Sequence, residues 1–387
     1  MGTLNIYSQL LTIALLAKAP LGQSEDDLTL QARLSPCELI KYNGYPCEMS
    51  YATTDDGYLL EVDHVPHGRE ASPSTANNQA TPRFPVLLLP AFTSASDMWF
   101  LNPPSQSPGF LLVDRGFDVW SMNSREAKSY SNHTTLSQSE PKYWRWSFDE
   151  IGRYDVAACV NHVLKATGAP KLTIMALSQG AAITMVFLST RPEYNDKVNL
   201  VILYGPVANI TNAGQPMSIA VPLLPPVLYS NNHGSFIKTF LLFAQLINMT
   251  LSNHLSFQTR MPMYVGHWPG GTSAQNMRHY HQMYKAKNFV MYDHGNLENW
   301  RRYGQMAPPA YPLENIKTPI AAFSSEGDLI ADTLDVADLM ERLGSNVIFH
   351  RIVPEKKFGH LDFAIGHNAN EFLHNVAMDI IEQHATR

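Results

Sequence analysis

From about Arg83 the chain alternates short runs that are apolar at every position with longer segments whose apolar residues recur at helical spacing. Pro85 to Pro90 (PVLLLP), Phe117 to Met122 (FDVWSM) and Lys171 to Leu177 (KLTIMAL) read as strands, followed by Val198 to Pro206, Thr318 to Ser325 and Asn346 to Val353. Phe148 to Gly168 has the periodicity of a helix, with acidic residues early and Gly168 as a stop, and a closing helix is predicted near Asn368 to Gln383. Strands that are apolar on both faces and separated by helices predict an α/β fold, a mostly parallel sheet covered on both sides.

The rhythm breaks between about Asn209 and Pro312. That stretch carries Pro216, Pro222, Pro225, Pro226, Pro262, Pro269, Pro308 and Pro309 among apolar segments. It reads as an inserted, mainly helical cap or lid over residues 209–312, dividing a core of residues 20–208 and 313–387. Within the cap Phe236 to Leu251 is apolar around much of a helix, which fits a helix buried against the core or a lid helix that meets lipid. Glu70 to Thr81 is polar and rich in turn formers, so a surface loop is expected.

At the N-terminus Leu10 to Ala17 (LLTIALLA) has signal-peptide length, and Ala17-Lys18-Ala19 offers a small-x-small cut, so residues 1–19 are read as a signal peptide. Sequons at Asn132, Asn209 and Asn248 point the same way, to a secreted or lysosomal protein. No stretch reaches the 18 or so apolar residues of a membrane span. Of three cysteines, Cys37 and Cys47 lie in a Pro/Gly-marked segment and form a candidate disulfide, whereas Cys159 falls in a helical run as a buried thiol.

Only 16% of the 387 residues are charged, against about 25% in an average soluble protein. No basic run is long enough to track a phosphate backbone, so nucleic acid is excluded as a partner. Histidine stands out: full protonation of the 15 residues would carry the formal charge from -6 to +9, and the surface would change sign in acid.

The chemistry centres on Ala176 to Gly180 (ALSQG), which closes an apolar strand and opens a helical run. A serine nucleophile at such a sharp turn needs small residues two before and two after it, and Ala176 and Gly180 supply them. The competing reading is a serine capping an ordinary helix. A nucleophilic Ser178 needs a base and an acid, in the chain order serine, acid, histidine. Asp328 follows the strand ending near Phe323, with Asp332 and Asp335 as rivals that look helical. His360 lies in a Gly-flanked loop before the last helix, with His350 and His367 as alternatives. Gly266 to Ser273 (GHWPGGTS) has phosphate-loop spacing, but Thr272 replaces the lysine and no strand leads in, so it reads as a cap turn. His279 and His281 lack the companions of a zinc site, and neither a metal nor a cofactor is expected.

Taken together these segments resemble the acid lipase family, the gastric and lysosomal acid lipases of the α/β-hydrolase superfamily. The resemblance runs from about Cys37 to the C-terminus, through Gly44 to Leu60, Trp146 to Ala158, the serine segment, His267 to Gln282, Tyr292 to Gly295, Pro308 to Ile316, Asp328 to Val336 and Phe358 to Gly366. It implies an α/β-hydrolase fold and a Ser178, Asp328, His360 triad. It further implies an oxyanion hole made by the Phe92 and Gln179 N–H groups, and a lipid ester substrate met at a lipid–water interface.

The chain departs from that pattern in places. Pro90-Ala91 stands where the family has His-Gly, and an alanine forced to φ > 0 would be strained or would re-aim the Phe92 N–H. Ala176-Leu177 replaces Gly-His, and Arg125-Glu126 replaces Arg-Gly, adding a charge near the site. A lipid-binding or storage protein with a spoiled oxyanion loop is therefore the alternative to a triacylglycerol or steryl ester lipase. A short-chain esterase is a further one.

Overall fold

The computed structural model describes residues 25–69, 83–214 and 255–385. The signal peptide, the Glu70 to Thr81 loop, the Phe236 to Leu251 helix and the Asn248 sequon lie outside those residues.

Two short helices, α1 (Glu25–Gln31) and α2 (Pro36–Tyr42), precede the first strands, β1 (Glu48–Thr53) and β2 (Tyr58–Val65). Then come β3 (Pro85–Leu89), α3 (Pro108–Asp114), β4 (Asp118–Met122) and the short β5 (Ser131–His133). The helix expected over Phe148 to Gly168 forms as one run, α4. It is α-helical at Phe148–Glu150, π-wound at Ile151–Val156 and α-helical again over Ala157–Thr167. A Ser147–Glu150 capping box opens it and Gly168, at φ 69°, ends it in the left-handed region. β6 (Leu172–Leu177), α5 (Gln179–Thr190) and β7 (Val198–Tyr204) follow. The stretch before β8 (Ile320–Ser325) holds α6 (Leu255–His267), α7 (Ala274–Ala286) and α8 (Asn296–Tyr303). The chain closes with α9 (Thr333–Leu343), β9 (Val347–Val353), α10 (Asp362–Ile365) and α11 (Asn375–Ala385).

The strands form one sheet in the order β1-β2-β4-β3-β6-β7-β8-β9, with β5 paired to β2. From β4 to β9 every neighbouring pair is parallel. Burial on both sides explains why these strands read as continuous apolar runs. Leu87, Leu89, Ile174, Ala176, Val201 and Leu203 enter one core with Phe148 and Val186, while Val86, Leu88, Met175, Leu177, Leu200 and Ile202 enter the other with Trp99 and Phe363.

The β1–β2 hairpin, antiparallel within itself and to β4, is an addition to the sequence reading. β1 is an edge strand with a single buried position, Ala52, so it has no apolar run to announce it. Its available signal was the Asp56-Gly57 turn, where Gly57 takes φ 99°.

Among the described residues no helix is long and apolar enough to cross a membrane. Cys37 and Cys47 are joined, with Cα atoms 5.4 Å apart, and Cys159 is a buried free thiol. Those two cysteines and Asp63 are a close set of potential metal ligands, and the sulfurs are bonded to each other. Asn132 is exposed, but Asn209 is buried and its Oδ1 accepts the Thr211 hydroxyl, which leaves it unsuited to a glycan in this fold. The charge swing also needs correction. His279 and His374 are fully buried, and desolvation pushes them down to about 4 and about 3, so they stay neutral in mild acid and add nothing to the surface.

Candidate active site

Strand register gathers the site. Leu89 of β3 pairs with Ala176 of β6, and Leu177 pairs with Tyr204 of β7. Tyr204 pairs with Phe323 of β8, and Ser325 pairs with Val353 of β9. The loops carrying Phe92, Ser178, Gly205, Asp328 and His360 therefore leave the same, carboxyl, end of the parallel strands, where open α/β sheets place their ligands.

Ser178 joins β6 to α5 at φ 59°, ψ -115°, a conformation that costs a non-glycine residue roughly 1–3 kcal/mol. The surroundings impose it. The Ser178 N–H donates to the Tyr204 carbonyl at 3.0 Å, and α5, buried from Gln179 to Ser189, starts one residue later. A Cβ on Gly180 would lie 2.8 Å from the Leu89 carbonyl oxygen and 3.3 Å from the Ala176 Cβ, so the small residues at the elbow are a packing requirement.

His360 Nε2 lies 2.7 Å from Ser178 Oγ, and His360 Nδ1 lies 2.7 Å from Asp328 Oδ2. With the proton on Nδ1 facing the carboxylate, Nε2 is left to accept from the serine hydroxyl. The other carboxylate oxygen, Asp328 Oδ1, accepts the Ile330 and Ala331 N–H groups at 2.8 and 2.9 Å, which fixes its plane. All three side chains are buried.

The rival residues have other roles. Asp332 caps α9 through the Leu334 N–H, and Asp335 binds Asn212. His350 on β9 meets Ser324, and His367 lies 3.4 Å from Gln106. Sequence reasoning missed Gly205. It sits at φ 46°, and a Cβ there would lie 3.2 Å from both Asp328 Oδ2 and the His360 ring. The Gly-Pro that ends the Val198 to Pro206 run was its signal.

Gln179 directly follows this serine and Phe92 lies in the loop after β3, and neither N–H meets an acceptor among the described residues. Ala91 is not in the left-handed region: its N–H points at Met98 Sδ, 3.0 Å away, and the positive φ of the loop, 59°, falls on Thr93 instead. The strain expected at Ala91 has moved two residues on.

The sequence profile described as alpha/beta hydrolase fold matches residues 85–370, and that of a partial alpha/beta-hydrolase lipase region matches residues 37–103. The chain is similar to gastric triacylglycerol lipase of Bos taurus, at 32% identity over 91% of this chain and 92% of that one. It is similar to lysosomal acid lipase/cholesteryl ester hydrolase of Homo sapiens, at 31% identity over 92% of each. The chain belongs to the acid lipase family. A thermophilic esterase from Thermogutta terrifontis shares the fold, with a TM-score of 0.52 at 15% identity over 87% of this chain and 98% of that one.

Within this acid lipase framework the departures noted in the sequence find their places. Leu177 is buried in the core beneath the sheet. Arg125 lies under the Tyr58 ring, its guanidinium on Asp56 and Asp155 at 2.6–2.8 Å. Glu126 is fully buried beside the Phe92 loop. The Gly266 to Ser273 turn joins α6 to α7 and packs on that loop, with the Gly270 N–H donating to the Thr93 carbonyl at 2.7 Å and Trp268 Nε1 donating to Ser94 Oγ. Ser273 caps α7 through the Asn276 N–H at 2.9 Å.

Proposed function

We propose that the chain, a carboxylic ester hydrolase by family, cleaves lipid esters such as triacylglycerols or steryl esters through an acyl-enzyme on Ser178. The observation that carries this reading is the unbroken hydrogen-bond line from Ser178 Oγ through both ring nitrogens of His360 to Asp328, with the serine held at φ 59°.

The steps follow from that line. Ser178 Oγ bonds to the ester carbonyl carbon as its proton passes to His360 Nε2, and the carbonyl oxygen becomes an oxyanion facing the Phe92 and Gln179 N–H groups. The carbon–oxygen bond to the alcohol then breaks, and His360 gives its proton to the leaving oxygen. Water attacks the acyl carbon, losing a proton to His360. The acyl–Oγ bond breaks, and the proton returns to Ser178. Asp328 stays ionised throughout and orients the imidazolium.

The relatives' names, gastric triacylglycerol lipase and lysosomal acid lipase/cholesteryl ester hydrolase, support the substrate class. They also support entry to the secretory pathway, as does a disulfide between Cys37 and Cys47. Residues 209–312 are read as the cap insertion, of which 215–254 lie outside the described residues. The lipid-binding alternative drew on Pro90-Ala91, and with Ala91 outside the left-handed region no observation favours it.

Hydrolysis of an emulsified long-chain triacylglycerol is the test, with Ser178→Ala expected to cut kcat by about 10⁶-fold, the scale of losing a triad serine. No turnover of any ester between pH 4 and 8, with lipid still bound, would sink the enzyme reading.

A further inference from the structure

Glu126 is 1% exposed on the loop after β4, and every polar group that meets its carboxyl can donate. Its Oε2 accepts the Thr93 N–H at 3.1 Å and Gln179 Nε2 at 2.7 Å. Its Oε1 accepts Asn276 Nδ2 at 3.2 Å, and the Thr272 hydroxyl bonds the carboxyl as well. These partners come from three separate pieces of the site: the loop after β3, the residue after Ser178, and the turn and helix that lie over both. Asn276 and the Tyr280 hydroxyl close the knot by donating to Gln179 Oε1 at 2.9 and 3.0 Å.

We propose that Glu126 is a positioning residue that assembles the oxyanion hole, its carboxyl tying Thr93 next to the Phe92 donor, the side chain of the Gln179 donor, and Asn276 and Thr272 above them into one buried unit. The assignment rests on the serine-hydrolase reading. Burying a carboxyl without a cation is costly, and among the described residues hydrogen bonds are what offset it. Those bonds hold two donors whose N–H directions decide how well the oxyanion is met.

The charge state of Glu126 then matters to the reaction. Desolvation pushes its carboxyl up to about 7 against the pull of its donors. Protonated, it can turn its O–H toward Thr272 Oγ1 and still accept from Thr93 and Gln179 through Oε2, so the unit survives uncharged. Ionised, it places a negative charge one residue from the Phe92 donor, which opposes charge building on the oxyanion. Of the titratable groups on the elements packed around it, Tyr280 feels the Glu126 charge and is held protonated by burial, its hydroxyl on Gln179 Oε1, and the others are engaged elsewhere. Arg125 meets Asp56 and Asp155, Asp97 meets His267, His279 meets Ser147 and Val290, and His360 meets Asp328.

The test compares Glu126→Ala and Glu126→Gln in the full chain on a soluble ester and on emulsified lipid, from pH 4.5 to 8. Glu126→Ala should lower kcat about 10- to 100-fold at every pH with KM within about twofold, as expected when an interaction made only in the transition state is loosened. Glu126→Gln, which keeps the acceptor and cannot ionise, should restore kcat to within about threefold of wild type in acid and remove the fall in kcat between pH 6 and 8. A Glu126→Ala kcat within twofold of wild type overturns the assignment, and so does a Glu126→Gln profile superimposable on wild type. Labelling by a fluorophosphonate separates this failure from that of the underlying reading. If Ser178 takes up no label in active wild type, the serine reading falls and Glu126 with it; if Ser178 is labelled and Glu126→Ala keeps its kcat, only the Glu126 assignment falls.

Discussion

Ser178 and Thr93 stand on two sides of one site with the same φ of 59°, and they are held in opposite ways. The serine elbow is fixed by backbone and by the absence of side chains: the Ser178 N–H on the Tyr204 carbonyl, Gly180 against Leu89 and Pro90, and Gly205 beneath the His360–Asp328 pair. The Thr93 loop is fixed by side chains from distant positions. Glu126 takes the Thr93 N–H, Trp268 reaches Ser94, His267 lies 2.7 Å from Asp97, and Asp63 takes the Ser96 hydroxyl at 2.5 Å. Three of those four holders titrate. The difference teaches that pH should act on the Thr93 loop and leave the elbow in place.

The largest expected effects break the elbow side. Asp328→Asn should lower kcat about 10⁴-fold, because one face of the side chain must accept from Ile330 and Ala331 while the other meets His360 Nδ1, and an amide cannot accept on both. The fold should persist, which near-ultraviolet circular dichroism would check. Gly205→Ala should follow at roughly 100-fold in kcat, since its Cβ displaces the His360–Asp328 pair by a fraction of an ångström. A Gly205→Ala enzyme with wild-type kcat would show that the elbow does not depend on that glycine.

The same contrast explains what was legible in the chain. The elbow's determinants, Ala176, Ser178 and Gly180, lie within five residues between a strand and a helix, and the parallel topology then puts Asp328 and His360 on adjacent loops in a known order. The loop's determinants do not announce themselves. Glu126 showed only as an added charge, because its partners stand at 93, 179, 272 and 276, and no local pattern links those positions. Thr93 gave no sign of a positive φ, which is uncommon for a β-branched residue. The central strands were readable because both faces are buried, whereas β1, exposed at five of its six positions in whole or part, was not.

A smaller effect should come from His267, whose ring nitrogens both face acceptors, Asp97 Oδ2 at 2.7 Å and the Gln31 carbonyl at 3.0 Å. Only the doubly protonated ring satisfies both. Burial opposes that charge, but the Asp97 carboxylate and the Gln31 carbonyl outweigh it and hold the folded pKa above its usual value. A raised folded pKa means stability that is fully present below the unfolded value near 6.5 and lost as pH rises through the folded one. His267→Gln should cost about 1–3 kcal/mol at pH 5 and less at pH 8, measured by urea unfolding. A cost that does not shrink with pH would remove His267 from the titrating set.

Asp63 should move activity least, its effect being confined to stability. Its Oδ2 accepts from Ser96 Oγ and, at 3.2 Å, from Asn123 Nδ2, while Oδ1 has no partner among the described residues, and desolvation pushes the carboxyl up to about 7. Folding therefore keeps a proton on Asp63 between about pH 4 and 7 that the unfolded chain releases, so wild type loses up to about 1.4 kcal/mol per pH unit across that window from this group. His279 and His374 act in the opposite sense, because their depressed values make the fold lose stability as pH drops below about 6.5. Asp63→Asn should cancel the first trend alone, so that the variant gains on wild type as pH rises from 4 to 7 and keeps a constant lead above it. Since the side chain touches Ser96 and not the Phe92 or Gln179 donors, kcat at pH 5 should move by less than twofold. A variant whose stability stays parallel to wild type from pH 4 to 8 would mean that Asp63 is ionised throughout. The pH response of the Thr93 loop would then rest on Glu126 and His267.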